Sequence, residues 1–404
     1  MQVNKERYGN KGSYKNKRRN GILAGVILLI CLMMFSGCGS LKEDGGKDEN
    51  ISPYLTYESS MELTYAEDFA VDYYSGGYKL ITVADGSRYL VVPENGEVPG
   101  ELAEDIVILK QPLNNIYLVA SAVMDMFREL DALDSIRFSG QKAEGWYIEE
   151  AGKAMEEGRI LYAGKYNMPD YELILSQGCS LAVENTMISH SPEVEEKLKE
   201  FGIPVMVDYS SYEKHPLGRV EWVKLYGALL NKEEAAQEAF QAQTDILKRV
   251  TGETEEEGSG AGKTVAFFYI TTNGAVNVRK SSDYIPKMID LAGGSYIFDS
   301  LGEETGSKSS MNMQMEEFYK EARNADYLIY NSTIDGEIKT VEELLQKSSM
   351  LKDFKAVEEG NVYCTTSDLY QQSMSIGVFI EDIHKMLWAE KDGQAKMQYL
   401  YQLE

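Results

Sequence analysis

"HPLGRVEWVKLYGALLNKEEAAQEAFQAQTDILKRV", His215 to Val250, is the one long helical pattern in this chain. Apolar residues recur at Val220, Val223, Leu225, Leu229 and Leu230, then at Ala236, Phe240, Ile246 and Val250. That is the spacing of a helix with one buried stripe. Pro216 suits a first helical turn, and His215 before it reads as the residue that opens the helix. Asn231 in "LLNKEEAA" marks a break or a recapping, so two successive helices also satisfy the pattern.

On both sides of this stretch, short β-rich runs alternate with amphipathic helical ones. Before it, "FAVDYY", "YKLITVA", "RYLVV" and "IYLVA" stand close together and predict hairpins. "SAVMDMFRELDAL" is then helical, "SIRFSG" extended, "YIEEAGKAMEEG" helical, "SLAVEN" a strand, "SPEVEEKLKEFG" a helix and "IPVMVDYS" a strand. After it, "TVAFFYI", "AVNVRK", "YLIYN" and "NVYCT" are strands, with helices at "SSDYIPKMIDLAG" and "SIGVFIEDIHKMLWA". Alternation at this spacing predicts α/β layers with parallel sheets, hence two α/β halves joined by one helix.

The halves also echo each other. "MPDYELILSQGCSLAVEN" and "MQMEEFYKEARNADYLIYNS" each place a glutamate in the first turn of a helix, then a strand ending in asparagine. Glu172 lies 13 residues before Asn185, and Glu316 lies 15 before Asn331.

The first residues are of another kind. Seven Lys/Arg and one acid in residues 1–37 surround "GILAGVILLICLMMF", about 15 apolar residues, short of the roughly 20 that span a bilayer. Ser36 and Gly37 precede Cys38, and the polar, glycine-rich "GSLKEDGGKDENISP" follows. The pattern resembles a bacterial lipoprotein signal whose cleavage leaves a diacylated Cys38, with Phe35 where such signals usually carry leucine. Two acyl chains give the stable anchoring that one chain cannot. An uncleaved signal anchor is the other reading.

The 404 residues carry a net charge of −25, and removing the basic segment leaves −31. Nucleic-acid phosphates need lysine and arginine, so such a body is excluded as a nucleic-acid binder. Beyond Cys31 and Cys38, only Cys179 and Cys364 remain, far apart and with no CxxC pair, so no disulfide framework is implied. The three histidines, His190, His215 and His384, show no clustered spacing for a bare metal site and read as structural. GxSxG, HExxH, P-loop and GxGxxG motifs are all missing, which leaves little for an enzyme and implies no cofactor.

From about Val107 to Leu387, some 70% of the chain, the sequence resembles the iron-siderophore, haem and cobalamin class of ABC-transporter substrate-binding lipoproteins, with a class III periplasmic-binding-protein fold. The resemblance rests on the order and spacing of "PDYELIL", "HPLGRVEWVKLYGALL", "DYIPKMIDLAGG" and "ADYLIYN". It implies two Rossmann-like lobes bridged by one long α-helix, with ligand in the cleft between them. The expected organisation is a signal peptide at 1–37, a flexible tether at 38–60, an N-terminal lobe at 61–215, the connecting helix at 216–250, an acidic loop at 251–262 and a C-terminal lobe at 263–404. The implied partners are an ABC permease with its ATPase, a ferric siderophore, haem or cobalamin, and the outer face of the cell membrane. The protein is expected as a monomer.

By motif position the resemblance carries a permease-docking role onto Glu172 and Glu316, with Glu317 adjacent to the second. Taken singly, each is equally a first-turn acid favoured by the helix dipole. Ligands of open α/β sheets bind beyond the carboxyl ends of the strands. That rule points to the ends around Arg137, Glu184–Thr186, Tyr209–Tyr212, Tyr269–Thr271, Asn331–Ser332 and Thr365–Tyr370. For a flat or bulky ligand the candidate aromatics are Trp146, Tyr147, Tyr212 and Tyr370, together with Tyr284. Arg137 and Arg279 are the candidate partners of an anionic group, although ordinary salt bridges explain them as well. A sensor lipoprotein serving a membrane kinase is the rival function, and an extracytoplasmic enzyme on a related fold a weaker one.

Overall fold

A computed structural model describes residues 51–256, 262–301, 309–388 and 396–404. Cys38, the signal segment and most of the expected tether lie outside these residues. Among the described residues no helix is long and apolar enough to cross a membrane.

The tether ends earlier than expected. Ile51 and Leu55 are buried, and β1 (Tyr57–Ser60) already pairs with β2 (Phe69–Tyr74). With β3 (Tyr78–Val83), β4 (Arg88–Val92) and β5 (Ile106–Lys110) they form a five-stranded sheet in sequential order. Its neighbours are antiparallel except for the parallel pair β4–β5. Both faces are apolar, and alternation sorts them. Phe69, Val71, Ile81, Val83, Tyr89 and Val91 join the main core, whereas Tyr74, Leu80, Leu90 and Val92 face the plug formed by Ile51 and Leu55.

The next sheet is wholly parallel. It comprises β6 (Ile116–Leu118), β7 (Ile136–Ser139), β8 (Leu161–Tyr162), β11 (Ala182–Asn185) and β12 (Val205–Asp208), in the order β12-β11-β6-β7-β8. The first strand lies centrally and the chain winds outward in both directions, so β6 and β11 flank a topological switch point. A two-stranded hairpin, β9 (Gly164–Lys165) with β10 (Met168–Pro169), follows β8.

The third sheet has a parallel centre of β13 (Thr264–Ile270), β17 (Tyr327–Tyr330) and β18 (Val362–Thr365). It departs from a pure Rossmann pattern at its margins. β14 (Val276–Arg279), β16 (Ser310–Met313) and β19 (Leu400–Gln402) add antiparallel edges, and β15 (Ser295–Tyr296) pairs with β13.

Between the second and third sheets the expected single helix is three: Pro216–Glu221, Val223–Leu230 and Glu233–Glu256. His215 caps the first, its Nδ1 accepting from Leu217 N at 3.1 Å, with its ring stacked 4.2 Å from that of Tyr65. Asn231 makes the second break in a left-handed conformation, φ 57°, which asparagine tolerates better than most residues. Lys79 of β3 and Gln111, the residue after β5, hold that break. Lys79 Nζ donates to Ala228 O and to Asn231 Oδ1, both at 2.7 Å, and pairs with Glu233. Gln111 exchanges two hydrogen bonds with the Asn231 amide, at 3.0 and 2.9 Å. The third helix runs on through Glu256, into the stretch expected as an acidic loop.

Close approach at the turn requires Gly227, because a Cβ there would lie 2.5 Å from Ala236 Cβ. Gly227→Ala should therefore cost about 1–3 kcal/mol, the usual range for overpacking. A lowered urea midpoint at constant m-value would show it, and an unchanged midpoint would mean that the two helices separate freely.

A carboxylate clamp fixes the end of the first connecting helix. Glu221 is fully buried and accepts from the backbone N–H groups of Thr64, Tyr65 and Ala66 at 2.7–3.0 Å, and from Lys224 Nζ at 2.8 Å. Nearby, Glu213 accepts from Glu67 N, Asp68 N and Trp222 Nε1 at 2.9–3.0 Å. One hydrophobic cluster then runs through all three sheets and the connecting helices, and Trp222 is fully buried within it.

Candidate functional site

The carboxyl ends of the second sheet's strands face loops of the third across a cleft of three adjoining hollows. One hollow, about 540 Å³, lies between the Ser211–Lys214 loop with Arg219 on one side and Arg279, Ser282, Asp283, Tyr284 and Ser309 on the other. A second, about 520 Å³, is floored by the loops after β6, β7, β8 and β11 and bounded by Tyr370. A narrow apolar neck, lined by Met126, Ile285, Met288, Ile376 and Phe379, shares Arg219 and Tyr284 with the first hollow and Tyr370 with the second.

Arg219 occupies the junction. Its guanidinium carbon sits 3.6 Å from the centroid of the Tyr284 ring, a cation–π contact made between the two sides of the cleft. Nε donates to Glu213 O at 3.3 Å and Nη2 to Ser211 O, so the fork is held by main-chain carbonyls. Burial pushes its pKa down from the arginine range, but a guanidinium starting that high stays charged. Arg279 Nη1 stands 3.9 Å from Asp283 Oδ2. That carboxylate already caps the helix Tyr284–Leu291, accepting from Ile285 N at 3.0 Å.

At the far end, Lys142 and Lys165, two cations against the one acid Glu144, face the second hollow with Tyr162 and Tyr166, and the Lys142 ammonium lies 5.8 Å from the Tyr162 ring. The acids of the first hollow, Glu213 and Asp283, are engaged by backbone N–H donors. In a strongly acidic protein the cleft thus offers cations at both ends, an apolar neck between them, and tyrosine faces.

Five of the seven ligand candidates line these hollows or their rim: Tyr212, Arg279, Tyr284, Tyr370 and, at the edge beside Tyr370, Tyr147. The Tyr147 and Tyr370 rings meet edge to face at 6.1 Å. Two lie elsewhere. Arg137 is the second residue of β7, at the amino end, and its guanidinium donates to Gln177 Oε1 and to the carbonyls of Gly158 and Arg159 at 2.5–2.7 Å. Trp146 is core, its indole N–H 3.3 Å from Ser139 Oγ. Glu184 is also interior, fully buried one residue short of the strand end, whereas Asn185 reaches the cleft.

Sequence reasoning missed Arg219 as a site residue, along with Lys142, Tyr162, Lys165 and Tyr166. Arg219 carried one usable signal: a cation directly amid the uncharged Pro216, Leu217, Gly218 and Val220 at the opening of the helix.

None of the histidines lines the cleft. His215 caps a helix, His190 is exposed, and His384 is buried with Nδ1 3.1 Å from Ala292 O. Among the described residues no cluster of three His, Cys, Asp or Glu side chains could hold a metal ion. Cys179 and Cys364 are unbridged.

The docking candidates are placed alike in their respective lobes. Glu172 is exposed in the first turn of Tyr171–Ser176, a helix capped by Asp170 through Leu173 N at 3.0 Å. Glu316 and Glu317 are both exposed in the first turn of Met315–Ala322.

Comparison with known proteins agrees with this fold. A family model described as periplasmic binding protein matches residues 121–369. An uncharacterized lipoprotein of Methanocaldococcus jannaschii is 26% identical over 379 residues, covering 86% of this chain and 87% of its own. Among solved structures, the periplasmic haem-binding protein HutB of Vibrio cholerae superposes with a TM-score of 0.54 at 15% identity, over 68% of this chain and 99% of its own. The catecholate-siderophore-binding protein VctP of the same organism gives 0.53 at 13% identity, over 70% and 95%.

Proposed function

This chain belongs to the periplasmic binding protein family, and we propose that it is the lipid-anchored, extracytoplasmic receptor of an ABC importer for an anionic metal chelate. A ferric siderophore or haem is favoured, with cobalamin as the remaining candidate. One observation carries the reading: the Arg219–Tyr284 pair at the centre of a cleft whose cations stand out in an acidic protein. Fixed planar donors suit carboxylate or catecholate oxygens, and tyrosine faces suit a conjugated ligand. With no metal-ligating cluster among the described residues, the metal would arrive already held by its own chelator. The haem and siderophore proteins of like fold supply the candidate ligands. Lipid attachment at Cys38 rests on the signal pattern and on the lipoprotein name of the Methanocaldococcus jannaschii relative.

The test is quenching of tyrosine and tryptophan fluorescence by haemin, by ferric catecholate, carboxylate and hydroxamate siderophores, and by cobalamin. Anionic chelates should quench at micromolar concentration or below. Silence across the whole panel would remove the ligand class and leave only the fold. Arg219→Met should weaken the best binder roughly 10- to 100-fold, the worth of a charged hydrogen bond of about 1.5–3 kcal/mol. Unchanged affinity would take Arg219 out of the site.

A further inference from the structure

The connecting segment is broken at Asn231, so a single rigid rod does not account for the spacing of the lobes. A second tie crosses the cleft. After β18 the chain forms two short 3₁₀ turns, Leu369–Gln371 and Ser373–Ser375, and this strap reaches the opposite lobe.

Gln371, fully buried, uses its side-chain amide as a peptide group would. Oε1 accepts from Tyr147 N at 2.8 Å and Nε2 donates to Gly145 O at 2.7 Å. Ser373 Oγ donates to Ala122 O at 2.6 Å. In the reverse sense, Met374 N donates to the buried Asp125 carboxylate at 2.8 Å, whose other oxygen accepts from Arg128 Nε at 2.8 Å. The strap thus contributes side chains to the opposite backbone and backbone to an opposite side chain. No single rotamer change undoes both. Separating the lobes here would strip four hydrogen bonds and leave a buried carboxylate short of a donor, which is costly.

Gln371 Nε2 also donates to the hydroxyl of Tyr370 at 2.9 Å, and Tyr370 is the residue that bounds both the neck and the second hollow. We propose that the segment Leu369–Ser375 is an interlobe latch, with Gln371 at its centre, that fixes the width of the ligand-free cleft and the pose of Tyr370. Ligands then meet a preformed cleft, so little of the binding energy goes into ordering the site. This inference concerns the unliganded protein and stands apart from the identity of the ligand.

Hydrogen exchange on the intact, unliganded chain tests it. The Tyr147 and Met374 amides lie in different lobes and are both protected only across the latch. In Gln371→Met both should exchange about tenfold faster or more, together, as one cooperative unit, while amides of β13 and β17 keep their rates. Acceleration of Tyr147 alone, of neither amide, or of all amides equally would overturn the latch. If Gln371→Met does not fold, Ser373→Ala decides: a smaller but joint acceleration of the same two amides supports the latch, and its absence refutes it.

Discussion

Replacing Glu184 by glutamine should make the protein about 3 kcal/mol more stable at pH 7 and leave it unchanged at pH 4. Glu184 is fully buried in β11, and neither of its oxygens has a hydrogen-bond partner among the described residues. Burial first, and the nearby Glu195 second, push its pKa up to about 8 from the usual 4.5. Between those two values the folded state binds a proton that the unfolded state releases. Stability therefore falls as pH rises through this window and levels off above it. At pH 7 the cost is about 1.36 kcal/mol for each of the roughly 2.5 pH units above 4.5, about 3.4 kcal/mol, which rounds to the figure of about 3. Glutamine keeps the shape and removes the titration, so the difference between variant and wild type isolates this one group from the other buried acids. Urea unfolding at pH 4, 7 and 8.5 would show a gap that opens, grows and then saturates. Parallel pH profiles for the two proteins would mean that Glu184 ionises as an exposed carboxylate does.

Glu184 also shows where sequence reading stops. The strand "SLAVEN" and the rule that ligands bind at carboxyl ends were both legible, and Asn185 does reach the cleft. Side chains alternate across a sheet, so one residue earlier means the interior. Arg137 illustrates the same limit: it lies in β7 as expected, but at the end opposite the cleft, because the strand's bounds fix which end it occupies. The long helical stripe and the α/β alternation were readable because both are periodic. The left-handed turn at Asn231 was only hinted at by composition, and its cause lies in Lys79 and Gln111, over a hundred residues away in sequence. Contacts such as Tyr147 with Gln371, 224 residues apart, have no local signature at all. The cleft aromatics Tyr212 and Tyr370 were found because loops after strands carry them. Arg219 is not legible as a site residue because it stands inside a helix whose pattern already accounts for it.

Reversing both docking candidates, Glu172→Lys with Glu316→Lys, should abolish uptake, by a factor of about a hundred or more, while ligand affinity stays within about twofold. Both carboxylates are exposed, one in each lobe, and neither lines the hollows of the cleft. A cationic permease surface would meet two repulsive contacts in place of two attractive ones, and like charges set against each other cost several kcal/mol. The competing explanation is that each glutamate merely favours its helix dipole, a term of about 0.3–1 kcal/mol. Losing two such terms would lower stability slightly without touching transport. Uptake by the importer reconstituted with the purified receptor separates the two, with ligand titration and thermal melting as controls. Transport that survives both reversals would leave only the dipole role, and loss of ligand binding would place the glutamates in the site itself. Glu317→Lys, paired with Glu172→Lys in the same assay, settles which neighbour docks. The adjacent positions project about 100° apart on a helix of 3.6 residues per turn, so a rigid two-point contact can use only one of them fully.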